Sequence, residues 1–124
     1  MKEVIVSPNA VKNLNDHIGT YEEITITLAA GITTDEFCYI RKQGRTYSIS
    51  VDIGKTGGIA GGSVIGTYDR TKFAPTETVY IPAFGYNGAW NTAGMLGFAA
   101  NNNNVTWYGA NSVTYIKANG TVMI

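Results

Sequence analysis

The stretch that decides the fold is residues 37–53, FCYIRKQGRTYSISVDI, in which two segments flank a polar turn. In the second segment every other residue is apolar, namely Tyr47, Ile49, Val51 and Ile53. This period of two is typical of a strand that buries one face. The turn contains Gly44, which favours a tight connection between antiparallel strands. The stretch therefore predicts a β-hairpin.

Outward from this hairpin, short β-branched segments recur between turn signals. Strands are predicted at residues 24–28, 63–67, 78–84, 95–99, 105–108, 112–117 and 121–124. The last two flank Asn119-Gly120, a two-residue hairpin signal, and the glycine-rich residues 54–62 are predicted to form a loop or an irregular strand. About eight strands without intervening helices predict an all-β fold, an antiparallel β-sandwich of jelly-roll type.

Residues 1–20 have a different pattern. Val11, Leu14 and Ile18 have the spacing of one helical face, with Pro8 suited to its first turn and Gly19 to its end. A lone helix of this length is marginal in water, so it either packs on the domain or joins copies of itself. We therefore predict a short N-terminal helix and oligomerisation segment at residues 1–20, followed by a β-sandwich head domain at residues 21–124.

Composition limits the possible functions. The chain has 124 residues, the size of one domain, and a formal net charge of zero, which argues against nucleic-acid binding. Its single cysteine, Cys38, excludes an internal disulfide. No apolar run approaches the ~20 residues of a membrane span, and the N-terminus lacks the apolar core of a signal peptide, so no membrane insertion is expected.

Most catalytic chemistries are also disfavoured. With one histidine, His17, and one cysteine, the usual triads and zinc sites cannot be assembled within one chain. Gly54-Lys55-Thr56 resembles the end of a phosphate-binding loop, but Ile49 stands where that motif needs glycine. We predict no catalytic residue, metal or cofactor. A glycan-degrading enzyme stays open as an alternative, and would need two carboxylates about 5–10 Å apart in a cleft.

The most informative feature is the aromatic and amide residues in the later loops. Tryptophan and tyrosine offer flat apolar faces with a polar tip, and asparagine both donates and accepts hydrogen bonds, which suits a saccharide. The predicted ligand-binding residues are Tyr86, Asn87, Trp90, Asn91, Trp107, Tyr108 and Asn111. For Trp107 a place in the core is an equally good interpretation.

Five segments in this order resemble the receptor-binding heads of tail and baseplate proteins of Gram-positive bacteriophages and prophages. They are residues 38–50 (CYIRKQGRTYSIS), 59–67 (IAGGSVIGT), 72–76 (KFAPT), 79–84 (VYIPAF) and 105–109 (VTWYG). The resemblance covers roughly residues 35 to 117. Residues 68–71 depart from the usual polar loop, and residues 1–20 have no clear counterpart.

The resemblance implies a non-catalytic homotrimeric head at the virion tail tip, made in the bacterial cytoplasm, that binds a saccharide of the host cell surface. Its other partners would be further tail and baseplate proteins. Three sites in one trimer would act together through their effective concentration. The alternative in this setting is a structural tail or baseplate component that binds only protein.

Overall fold

The structure is a computed structural model that describes residues 21–90 and 92–124, with the side chain of Asp35 left out. The predicted helix and oligomerisation segment at residues 1–20 lies outside the described residues. The described residues form eight strands. They are β1 (Glu22–Leu28), β2 (Thr33–Gln43), β3 (Thr46–Ile59), β4 (Val64–Tyr68), β5 (Val79–Tyr86), β6 (Thr92–Phe98), β7 (Asn104–Tyr108) and β8 (Val113–Met123). The all-β prediction is confirmed for this part of the chain.

The eight strands form one closed antiparallel barrel in the order β1-β2-β3-β8-β5-β6-β7-β4. The predicted two-sheet, jelly-roll-like sandwich is therefore wrong. The reason lies in β1, which pairs with β2 at Glu22, Glu23, Ile24 and Thr25, and then with β4 at Ile26, Thr27 and Leu28. This second pairing gives β1 and β4 the partner that an edge strand lacks, and closure removes the edges of the sheet.

The hairpin of residues 37–53 is confirmed. Gln43 pairs with Thr46 across a turn in which Gly44 has a φ of 63°. The β2–β3 ladder is interrupted by a register shift between Thr34 and Cys38.

Burial raises the pKa of the Cys38 thiol to about 11, so the thiol stays protonated at neutral pH and is a poor nucleophile.

The predicted turn at Asn119-Gly120 is wrong, because both residues lie inside the continuous strand β8. Asn119 pairs with Ser50 of β3, and the Ser50 hydroxyl lies 2.6 Å from the Asn119 side-chain oxygen. A Cβ atom on Gly120 would lie 2.8 Å from a methyl carbon of Ile81. The glycine serves close packing here, and not a turn.

Aromatic side chains fill the two ends of the barrel interior. At the end where β1 begins, Phe73 from the β4–β5 connection is fully buried, and its ring packs against those of Tyr47, Tyr68 and Phe98. Toward the opposite end lies the buried Trp107. The buried side chains of the strands pack together with Phe73 as one hydrophobic core, as a barrel of eight strands allows. Binding must then use the outer surface or the loops.

Candidate functional site

The outer side of β5 and β8 carries large apolar side chains where solvent-facing residues of a barrel are normally polar. Phe84 of β5 is 54% exposed, and Tyr115 of β8 is 40% exposed. Trp90, in the loop after β5, is 43% exposed. Exposed aromatic residues that cluster in this way mark interaction sites more often than scattered ones do.

These side chains form one surface, which we call the aromatic platform. It consists of Phe84, Tyr86, Trp90, Tyr115 and Lys117. Tyr86 pairs with Tyr115, and Phe84 with Lys117, across β5 and β8. The ring centroids of Tyr86 and Trp90 lie 5.2 Å apart, those of Tyr86 and Tyr115 5.8 Å, and those of Trp90 and Tyr115 6.4 Å. The loop tryptophan is thus packed onto the outside of the barrel.

Lys117 adds a charge to the aromatic platform. Its Nζ atom lies 5.2 Å from the centroid of the Trp90 ring and 4.0 Å from Oδ2 of Asp52 on β3. The side chain of Asp52 is 2% exposed, whereas that of Lys117 is 53% exposed. The carboxylate and the ring keep the ammonium group next to Trp90, where it can donate hydrogen bonds to a ligand.

Two shallow depressions lie on the platform. One, of about 340 Å³, is lined by Phe84, Trp90 and Lys117. The other, of about 240 Å³, is lined by Tyr86, Trp90, Tyr115 and Lys117. They share Trp90 and Lys117, so a ligand in either would contact the indole ring and the ammonium group. Both are open to solvent and suit a ligand that lies on the surface rather than one enclosed by the protein.

A third depression, of about 320 Å³, adjoins the platform at Tyr115. Its other lining residues are all polar or glycine, namely Thr33, Gly54, Lys55, Thr56, Gly57 and Thr114. Lys55 and Thr56 belong to the segment that resembles the end of a phosphate-binding loop. In the structure this segment lies within strand β3 and no helix follows it, so it is not such a loop.

Three of the predicted ligand-binding residues lie in one turn and strand end. Tyr86 and Trp90 are part of the aromatic platform. Asn87 is exposed between them, and its backbone N–H donates a hydrogen bond to the Ala89 carbonyl at 3.2 Å. The fourth residue of this group, Asn91, lies outside the described residues.

The other three are not brought to the platform. Trp107 is fully buried and its indole N–H donates to the Ala110 carbonyl at 3.0 Å, so a surface ligand cannot reach the ring and its place is in the core. The Asn111 side-chain oxygen accepts a hydrogen bond from the Gly61 N–H at 2.9 Å, which ties two loops together. Tyr108 packs against Tyr80 at a centroid distance of 5.9 Å, and we call these two the tyrosine pair.

The sequence interpretation missed Phe84, Tyr115 and Lys117, which it placed in strands without a role. A signal was present in residues 80–86, YIPAFGY. Apolar residues occupy both faces of this segment, whereas a strand with one solvent-facing side should alternate with polar residues. A barrel strand with apolar residues on its outer side indicates a contact surface there.

The platform provides apolar ring faces, tyrosine hydroxyl groups and one ammonium group, all of which can contact a ligand. Among the described residues, no group of three or more His, Cys, Asp or Glu side chains is placed to hold a metal ion. The same part of the chain contains no helix long and apolar enough to cross a membrane. No protein-family model matches the chain, and comparison with curated proteins gave no match.

Proposed function

We propose that this chain is a non-catalytic saccharide-binding domain that acts as the receptor-binding head of a bacteriophage tail or baseplate protein. The observation that carries the binding function is the aromatic platform, with three exposed aromatic side chains and an exposed lysine around shared depressions. The viral setting rests on the resemblance of residues 35 to 117 described above.

A saccharide suits this surface for chemical reasons. One face of a sugar ring presents C–H groups, which pack on the flat faces of Trp90, Phe84 or Tyr115. The ring's hydroxyl groups point outward at its edge, where the Lys117 ammonium group can donate to them. Because both depressions are open to solvent, a unit within a longer glycan can occupy them as well as the end of one.

Binding at one open site of this kind is weak, and assembly into a homotrimer would compensate for it. Three platforms held on one particle make the second and third binding events intramolecular, which raises the avidity without any new contact. The homotrimer is part of the proposal, and sedimentation of the full chain at micromolar concentration tests it. A monomer under those conditions would contradict it.

The test of the binding function compares two exposed aromatic residues with nearly equal exposure. We expect Trp90→Ala to weaken glycan binding about tenfold, because it removes a stacking face common to both depressions. Tyr108→Ala is the matched control, since Tyr108 is 44% exposed but belongs to the tyrosine pair. The measurements are binding of the full-length domain to a glycan array and adsorption of labelled protein to bacterial cells.

A second candidate function is a structural component that contacts only protein, and the tyrosine pair favours it. Tyr80 is 55% exposed, and Met95, which pairs with Tyr108 across β6 and β7, is 41% exposed. Tyrosine and methionine are enriched at protein interfaces. A glycan array without hits, together with unchanged cell adsorption for Trp90→Ala, would replace the saccharide proposal by this one.

A further inference from the structure

We propose that the depression around Gly54 and Lys55 is a polar subsite that binds the next unit of the glycan lying on the aromatic platform. The inference rests on the proposed function and extends it, since it makes the ligand an oligosaccharide chain and not a single terminal sugar. It is carried by three features of the described residues: a shared wall, a change in lining chemistry, and a backbone that leaves room.

The shared wall is Tyr115. This residue lines both the depression beside Trp90 and the depression beside Lys55. Gly54, Tyr115 and Tyr86 pair in one row across β3, β8 and β5. Neighbouring strands lie about 4.8 Å apart, so this row spans about 10 Å, which is longer than one sugar ring. A chain that passes over Tyr115 therefore reaches both depressions.

The lining changes from aromatic rings to hydroxyl groups across Tyr115. On the platform side the depression that contains Tyr115 is lined by Tyr86, Trp90 and Lys117. On the other side the depression is lined by three threonines and a lysine, namely Thr33, Thr56, Thr114 and Lys55. The hydroxyl groups of Thr33 and Thr56 can both donate and accept hydrogen bonds, that of Thr114 can accept them, and the Lys55 ammonium group donates three. Such a lining recognises the hydroxyl groups of a sugar unit rather than its apolar face.

The backbone of β3 leaves space open at Gly57. At Gly54 the missing side chain instead makes room for the Tyr115 ring, since a Cβ atom there would be 2.8 Å from a ring carbon. Gly57 and Gly58 have φ values of 93° and 91°, which side chains rarely tolerate, and nothing lies within 4 Å of a Cβ built on Gly57. The stem of Lys55 runs toward Gly31 in the β1–β2 turn, with its Cε 3.5 Å from a Cβ built there, and so borders the depression.

Thr114 lines the polar depression and also contacts the strand end that carries Tyr86 of the platform. Its hydroxyl donates to the carbonyl of Tyr86 at 3.3 Å, so a residue of the polar depression holds the strand end that carries a platform ring. Thr114 is for this reason unsuitable as a test position. Lys55 and Thr56 are exposed and are the residues to replace.

The test uses the full chain and a length series, from one to four units, of gluco-, galacto- and N-acetylglucosamine oligosaccharides. We expect wild-type affinity to rise about tenfold between the shortest and the longest ligand, which corresponds to one or two added hydrogen bonds. The double variant Lys55→Ala, Thr56→Ala should lose most of this rise and still bind the shortest ligand like the wild type. Lys72→Ala, an exposed lysine at the other end of the barrel, is the control.

The outcomes separate this inference from the proposed function. A rise with length that survives in the double variant, or no rise in the wild type, overturns the polar subsite while the platform still binds sugar. In that case Trp90→Ala still weakens binding at every length. If the wild type binds none of the oligosaccharides at any length, the proposed function and the subsite are both overturned.

Discussion

The chain has two tryptophans, and the structure gives them opposite environments. Trp107 is fully buried, whereas Trp90 is 43% exposed to solvent. Trp107 lies inside the barrel against glycines that make room for its indole ring: Cβ atoms on Gly94 and Gly109 would come within 2.6 Å and 2.1 Å of that ring. Trp90 has instead the rings of Tyr86 and Tyr115 and the ammonium group of Lys117 as neighbours.

The difference shows that the neighbours, and not the residue type, decide what a tryptophan does. Around Trp107 the chain has glycines, Gly94 and Gly109, and the indole fills the space that their side chains would occupy. Around Trp90 the neighbours are aromatic side chains on the outside of the barrel, Tyr86 and Tyr115, and they leave its ring partly exposed. We therefore expect Trp107 to contribute stability and Trp90 to contribute binding.

The largest expected effect is that of Trp107→Ala on stability. Removing a fully buried indole should lower the free energy of unfolding by about 3–5 kcal/mol, because the cavity adds to the lost burial. This is a large share of the ~5–15 kcal/mol typical of a domain. Urea denaturation followed by circular dichroism measures the effect. Trp107→Phe, which keeps a ring in the core, should lose less and remain folded.

The matched change outside the core is Trp90→Ala, for which we expect a loss of about 1 kcal/mol or less, as is usual for an exposed position. The same denaturation experiment compares both variants. Equal losses for the two would contradict the division of roles between the tryptophans.

For Gly94→Ala we expect an effect smaller than that of Trp107→Ala but larger than that of Trp90→Ala. The added methyl group would meet the Trp107 ring at 2.6 Å and the Tyr108 carbonyl oxygen at 2.7 Å, and such overpacking costs about 1–3 kcal/mol. Gly88→Ala in the Trp90 loop is the comparison. There the φ of 81° gives strain but no atom lies within 4 Å, so we expect about 1 kcal/mol.

A double-mutant cycle identifies the cause of the Gly94 effect. Combining Gly94→Ala with Trp107→Phe should relieve part of the cost, because the clash is with the indole's outer ring. If the two losses simply add, the contact with Trp107 is not the reason for the glycine.

The mildest test leaves the fold intact and measures solvent access to each indole. In wild-type protein, iodide should quench the fluorescence of Trp90 and leave that of Trp107, since the latter is fully buried. The variant Trp90→Phe should then be almost insensitive to iodide, while Trp107→Phe keeps the quenched component. Binding of an oligosaccharide at the platform should protect the Trp90 signal. Equal quenching of Trp90→Phe and Trp107→Phe would contradict the difference in solvent exposure between the two tryptophans.

Much of the local structure could be predicted from sequence, and the reasons for the failures are physical. The hairpin of residues 37–53 was predictable because its turn and both of its strands lie within one short stretch. Asn119-Gly120 was misread because a turn signal describes only local preference, while the long β3 strand and the Ile81 side chain act from far along the chain. Of the candidate site, Tyr86 and Trp90 were predictable, since a glycine- and asparagine-flanked loop exposes its aromatic residues.

The sequence by itself determined the strand content, because a period-two pattern of apolar residues can bury only one face of an extended chain. It also predicted that Trp90 lies in a loop rich in glycine and asparagine, where its ring is exposed. Only the tertiary structure decided that the sheet closes into a barrel, because this depends on β1 pairing with β4, some 40 residues away. It likewise decided which tryptophan is buried and that Tyr115 and Lys117 of β8 join Trp90, because strand pairing brings together residues that no local pattern connects.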